Sequence, residues 1–165
     1  MSTGQKIRCY EYINQPYDIV RKAIKADPAK LFQSATKAAA SRASTIAAGL
    51  HIDLAGVTIS TDIAIVVKEV TEKPGEFGAA PSTHMLLEWE AMKAPHLFPL
   101  MKADLSIYPL TSTETQLDFS GSYVPPLGAL GTAINAVVGH RIADGSVHRF
   151  VKEVAEFLRA NLKQK

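Results

Sequence analysis

Hydrophobic residues recur along this chain with two different periods, and the changes between them divide it into elements. Ile7 to Ile13 alternates in part, carries Tyr10 and Tyr12, and stops at Asn14-Gln15-Pro16, which predicts a first strand ending in a turn. Tyr17 to Lys25 then sets Ile19, Val20, Ala23 and Ile24 at helical spacing. Asp27-Pro28 follows as an N-cap with proline at the first helical position. The second helix that starts there is rich in alanine and places Leu31, Ala35, Ala38 and Ala39 on one face. From Thr45 β-branched residues take over. Residues 45–54 and, after a turn signal at Gly56, 57–70 are predicted as strands, the second with Ile59, Thr61, Ile63, Ile65 and Val67 on a common face.

Residues 73–82 form a loop by composition, and beyond it the alternation is clean. His84 to Lys93 sends Met85, Leu87, Trp89 and Ala91 one way and Glu88 and Glu90 the other. Met101, Ala103, Leu105 and Ile107 oppose Lys102, Asp104 and Ser106; Thr115, Leu117, Phe119, Gly121 and Tyr123 oppose Gln116, Asp118, Ser120 and Ser122. One covered face, one wet face and short polar turns such as Thr111-Ser112-Thr113 predict an antiparallel meander. Val124-Pro125-Pro126 closes the last strand, and the apolar period then lengthens into one helix predicted over residues 127–162. Ala133, Ala136, Val137, His140, Ala143, Val147, Phe150, Val151, Val154 and Leu158 fall on its sheet-facing stripe.

The first half of that helix is built of small residues, Gly128, Gly131, Ala133, Ala136 and Gly139, and the second half of bulky ones. Interiors are normally filled to crystal-like density. Small residues opposite a concave sheet therefore imply either a void, open to a ligand, or close packing of backbone on sheet, and both readings stand at this stage.

The 165 residues suit one domain, spanning residues 1–165. A chain of this size buries roughly 70% of the surface of its unfolded form, so it needs no disulfide or metal staple. Cys9 is the single cysteine, which excludes an internal disulfide, a CxxC redox pair and a zinc cluster, and fits a cytoplasmic location. Charged residues run through the first thirty positions, and no apolar run is long enough for a signal peptide or a membrane span. A net charge of +2, mixed along the sequence, speaks against a nucleic-acid partner, which would call for a basic stripe interleaved with aromatics. Oligomeric state is not legible.

The order of strand, two short helices, antiparallel meander and long terminal helix resembles the helix-grip fold of the START-like superfamily, also called SRPBCC, which includes birch-pollen-allergen-like proteins and polyketide cyclases. The likeness spans nearly the whole chain. Its most specific part is residues 121–162, GSYVPPLGALGTAINAVVGHRIADGSVHRFVKEVAEFLRANL, similar to the way many bacterial members leave the last strand and enter the long helix. The resemblance implies an α+β fold with a curved antiparallel sheet of six or seven strands around the C-terminal helix. It also implies a cavity that takes a lipid-like or polyketide-like molecule. No catalytic signature of the family can be matched residue by residue, and no cofactor is implied.

Leu87, Trp89, Leu105, Phe119, Tyr123, Ala136, Val137 and His140 are the residues expected to line such a cavity. His140 interrupts an apolar stripe; a neutral imidazole there would orient a carbonyl or move a proton, or would simply be satisfied by a backbone carbonyl. Trp89 would stack on a ligand and donate its N–H, or would pack as core. Tyr123 raises the same choice, and with His140 it is the candidate for catalysis, the tyrosine holding an oxyanion. Arg141 reads as solvent-facing. His84, Glu88 and His96 can be drawn as a metal site, but three scattered groups lack the convergence that a metal requires, so no metal is expected. No GxSxG elbow or phosphate-cradling glycine loop is present, Cys9 has no evident partner in sequence, and a hydrolase triad is not expected. A binding or carrier protein is the leading reading. A polyketide cyclase, aromatase or dehydratase, and an interaction module using the sheet's outer face or the loop around Phe77, are the alternatives.

Overall fold

The computed structural model describes residues 5–49, 63–91, 100–124 and 136–162. Strand β1 (Gln5–Ile13) is followed by helices α1 (Tyr17–Ala26) and α2 (Pro28–Gly49). Strands β2 (Ile63–Lys73), β3 (Ser82–Ala91), β4 (Leu100–Pro109) and β5 (Thr115–Val124) come next, and helix α3 (Ala136–Asn161) ends the order. The strands form one antiparallel sheet in the order β1-β5-β4-β3-β2, so the meander is closed at one edge by the N-terminal strand. This is an α+β order of first strand, two helices, antiparallel meander and terminal helix, as the pattern predicts for these elements.

Local chemistry sets the element ends. Pro16 precedes α1, and its carbonyl accepts from the amides of Ile19 and Val20. Asp27 caps α2 through Oδ1, which accepts from the Lys30 amide at 3.1 Å, and Pro28 occupies the first turn, where no amide is needed. The buried face of α2 is Leu31, Phe32, Ala35, Thr36 and Ala39. Phe32 joins the face expected from the alanines, and Thr36 satisfies its hydroxyl on the Phe32 carbonyl at 2.6 Å.

Two sequence expectations need correction. Residues 45–49 continue α2 rather than starting a strand, because the alanine-rich helix that precedes them propagates at little cost. Five strands are formed among the described residues instead of six or seven. Residues 50–62, including Ile59 and Thr61, lie outside the described residues, as do His51 and His96. Within β2 the expected alternation is kept up to Val67, since Ile63, Ile65 and Val67 pair with Ala91, Trp89 and Leu87. A bulge between Val67 and Glu69 shifts the register, so that Val67 pairs with Leu87 and Val70 with Met85, and β2 lies at the sheet's edge with Val66, Val67 and Val70 exposed.

Elsewhere the alternation holds. Met85, Leu87 and Trp89 of β3, Ala103, Leu105 and Ile107 of β4, and Leu117 and Phe119 of β5 are buried on the inner face. They meet Ala143, Val147, Phe150, Val151, Val154 and Leu158 of α3, the bulky half of the predicted stripe. Gly121 is required within β5, since a Cβ there would stand 2.8 Å from the Phe119 ring and 3.2 Å from the Lys102 carbonyl. The loop between β2 and β3 turns at Glu76–Ala79, where Phe77 and Gly78 both have positive φ (52° and 83°) and Phe77 is fully exposed. An aromatic residue in the left-handed region is strained. Phe77→Asn is expected to raise the unfolding free energy by about 0.5–1 kcal/mol, read by urea denaturation.

Candidate functional site

The inner face converges on four aromatic rings. Trp89 lies 4.7 Å from Phe150 at 64° and 6.1 Å from Phe119, while Phe32 stacks on Phe150 at 6.2 Å and 9°. Of the residues expected to line a cavity, Leu87, Trp89, Leu105 and Phe119 are brought together here and are buried. Tyr123 lies on β5, paired with Gln5 and Met101; Ala136, Val137 and His140 lie in the opening turns of α3. The side chains of these four are outside the described residues. Arg141 is exposed.

Backbone order brings Trp89 and the opening turns of α3 to the same end, while Leu105 and Phe119 lie in register with Cys9, midway along the sheet. Cys9 meets His148, and Glu11 and Tyr12 meet Arg159, so α3 runs along β1 in the same sense. Its opening turns therefore point toward the Gln5 end of the sheet, where Tyr123 pairs with Met101 and Met101 with Trp89. Trp89 carries the one polar atom of the aromatic cluster, and its Nε1 is buried with no hydrogen-bond partner among the described residues. Leaving such a donor unmade costs about 1–3 kcal/mol.

Cys9 has the histidine partner that sequence spacing did not reveal. Its Sγ is 3.3 Å from Nδ1 of His148, whose Nε2 is 3.4 Å from Asp144 Oδ1. Burial, then the charges of Glu11 and Asp144, push the Cys9 thiol up to about 11, so the sulfur that faces His148 is a neutral thiol and not a thiolate.

The outer face carries a second constellation. His84 and Glu88, considered together for metal, go to different partners: Glu88 meets Lys68 at 3.6 Å and Lys102 at 3.8 Å, while His84 Nδ1 is 2.8 Å from Asp104 Oδ2. His84 Nε2 is 3.1 Å from the hydroxyl of Ser82. Serine, histidine and aspartate are thus hydrogen-bonded in series. They border an open groove of about 440 Å³ that Arg8, Tyr108 and Asp118 also line. Asp118 accepts from Arg8 at 3.4 Å and from Tyr108 at 3.5 Å, and burial, then the Asp118 charge, raises the Tyr108 phenol above its ordinary value. Alternation alone puts Ser82 and His84 on one face. The contribution of Asp104 required the β3–β4 register.

No protein-family model matches the chain, and no curated protein matches it. Among solved structures, it is similar to the Zhui aromatase/cyclase from Streptomyces sp. R1128, at 11% identity over 98% of this chain and 97% of that one, with a TM-score of 0.48. TTHA0849 from Thermus thermophilus aligns at 12% identity over 96% of this chain and 100% of that one, with a TM-score of 0.46. Norcoclaurine synthase from Thalictrum flavum, in complex with dopamine and hydroxybenzaldehyde, aligns at 11% over 99% and 90%, with a TM-score of 0.43. At such identities no residue role passes from those proteins to this one. Among the described residues, no helix is long and apolar enough to cross a membrane.

Proposed function

We propose that the chain is one ligand-binding domain that holds a small hydrophobic molecule, lipid-like or polyketide-like, between the sheet and α3. The observation that carries this reading is the indole N–H of Trp89, which has no partner among the described residues in an otherwise apolar cluster. Buried polar groups in folded proteins nearly always have partners, and a ligand oxygen entering beside the ring would supply one. Leu87, Leu105 and Phe119 offer apolar contact from the sheet, and Tyr123, Ala136, Val137 and His140 are the residues proposed to complete the site at the Trp89 end. Binding and carriage require no more than this. The ligand's apolar body leaves water, and one hydrogen bond to Trp89 sets its orientation.

The test begins with native mass spectrometry of protein purified from its own host, before and after organic extraction; a reproducible extra mass is expected. Trp89→Phe then keeps one aromatic ring and removes the donor. Affinity for a fluorescent fatty acid should fall about 10-fold or more, the equivalent of one hydrogen bond plus lost contact, while the ligand-free protein stays folded and loses about 1–2 kcal/mol to the void left by the smaller ring. Full affinity in Trp89→Phe, with no mass released on extraction, would sink the reading.

A further inference from the structure

We infer that Ser82, His84 and Asp104 form a nucleophilic acyl-transfer site on the outer face of the sheet, acting on small uncharged esters. The inference is separate from the apolar interior, because Trp89 and its neighbours lie on the opposite face. Order and distance carry it. Asp104 Oδ2 accepts from His84 Nδ1–H at 2.8 Å, which fixes the tautomer with its lone pair on Nε2, and that nitrogen faces the Ser82 hydroxyl at 3.1 Å. Three rigid positions produce this series. Ser82 and His84 are two residues apart on β3, and Asp104 is diagonal to His84 on β4, where Leu86 pairs with Asp104 and His84 with Ser106.

The hydroxyl opens on the groove, so an ester carbonyl can reach it. Ser82 Oγ attacks the carbonyl carbon as its proton passes to His84 Nε2. The C–O bond to the leaving alcohol breaks, and His84 returns the proton to that oxygen. Water then attacks the acyl-serine and gives a proton to His84, which passes it to Ser82 Oγ as the acyl C–Oγ bond breaks, releasing the carboxylic acid and free Ser82. Negative charge develops on the carbonyl oxygen in both halves, and a donor must meet it. Tyr108 is placed for this. It lies opposite Ser82, one step beyond the Thr83–Ile107 pair, and its phenol is held by Asp118 only at 3.5 Å, so turning toward substrate loses little. The raised phenol remains protonated and able to donate.

Hydrolysis of 4-nitrophenyl acetate and labelling with a fluorophosphonate test the site. The fluorophosphonate should attach to Ser82, identified by peptide mass spectrometry. Ser82→Ala and His84→Gln should each lower kcat about 100-fold or more, with unfolding midpoints unchanged. Tyr108→Phe should lower kcat with less effect on KM. Asp104 acts through His84 and is a positioning residue: Asp104→Asn should lower kcat with KM unchanged, and Asp104→Glu should restore part of it. The proposal is overturned if Ser82→Ala hydrolyses the ester as fast as the parent, if the parent shows no turnover, or if the probe labels another residue. None of these outcomes bears on extraction of a bound molecule or on Trp89→Phe.

Discussion

Phe150→Ala is expected to lower the unfolding free energy by about 3–5 kcal/mol, among the largest effects of any single truncation in the described core. Phe150 stands at the centre of the aromatic cluster, 4.7 Å from Trp89, 6.1 Å from Phe119 and 6.2 Å from Phe32, so one ring joins β3, β5, α2 and α3. Its removal costs the transfer energy of the ring and leaves a cavity that elements from two sheet strands and two helices must collapse to fill. Phe150→Leu, which keeps most of the volume, should cost well under half as much. Urea denaturation followed by Trp89 fluorescence reads both variants, because Trp89 reports from the cluster itself. A loss of only about 1 kcal/mol for Phe150→Ala would mean that the cluster is loosely packed.

Alkylation of Cys9 by iodoacetamide at pH 8 should be at least about 100-fold slower in the folded protein than in the unfolded chain. The thiolate is the reacting species, and moving the thiol from 9.0 to about 11 lowers its thiolate fraction by two powers of ten. Poor access behind β1 slows it further. Linkage has a definite sign here. The folded thiol keeps its proton to higher pH than the unfolded one, so the favourable contribution is fully present below pH 9 and is lost as pH rises to about 11. The loss amounts to roughly 2–3 kcal/mol at most. Cys9→Val should remove that part of the alkaline decline while leaving stability near pH 7 little changed. Equal alkylation rates for folded and unfolded protein would contradict the buried environment derived for Cys9.

The two faces of the sheet differed in how much of them could be read in advance. Inward positions announce themselves by alternation, and Leu87, Trp89, Leu105 and Phe119 are buried as it predicts, because every second residue of a strand shares its fate. Outward polar residues carry no such signal. His84 was drawn toward Glu88, four residues along the same strand, whereas its partner Asp104 comes from the neighbouring strand. Likewise Cys9 and His148 are separated by 139 positions, and no spacing rule links a strand residue to a helix residue docked across it. The strand expected from Thr45 failed for the opposite reason. Local β propensity there was real but weak, and a long alanine-rich helix already under way overrode it.

Outside residues 45–62, sequence alone determined the order of elements, the sides of the meander and the bulky half of the α3 stripe that meets it, since hydrophobic burial writes its period directly into the chain. Tertiary structure decided the partners: the aromatic cluster, the indole of Trp89 without a partner among the described residues, the contact of the Cys9 thiol with His148 and the Ser82–His84–Asp104 series. Those depend on strand register and helix docking. A shift of one residue there would exchange the faces and separate every pair, yet leave the hydrophobic period as it stands.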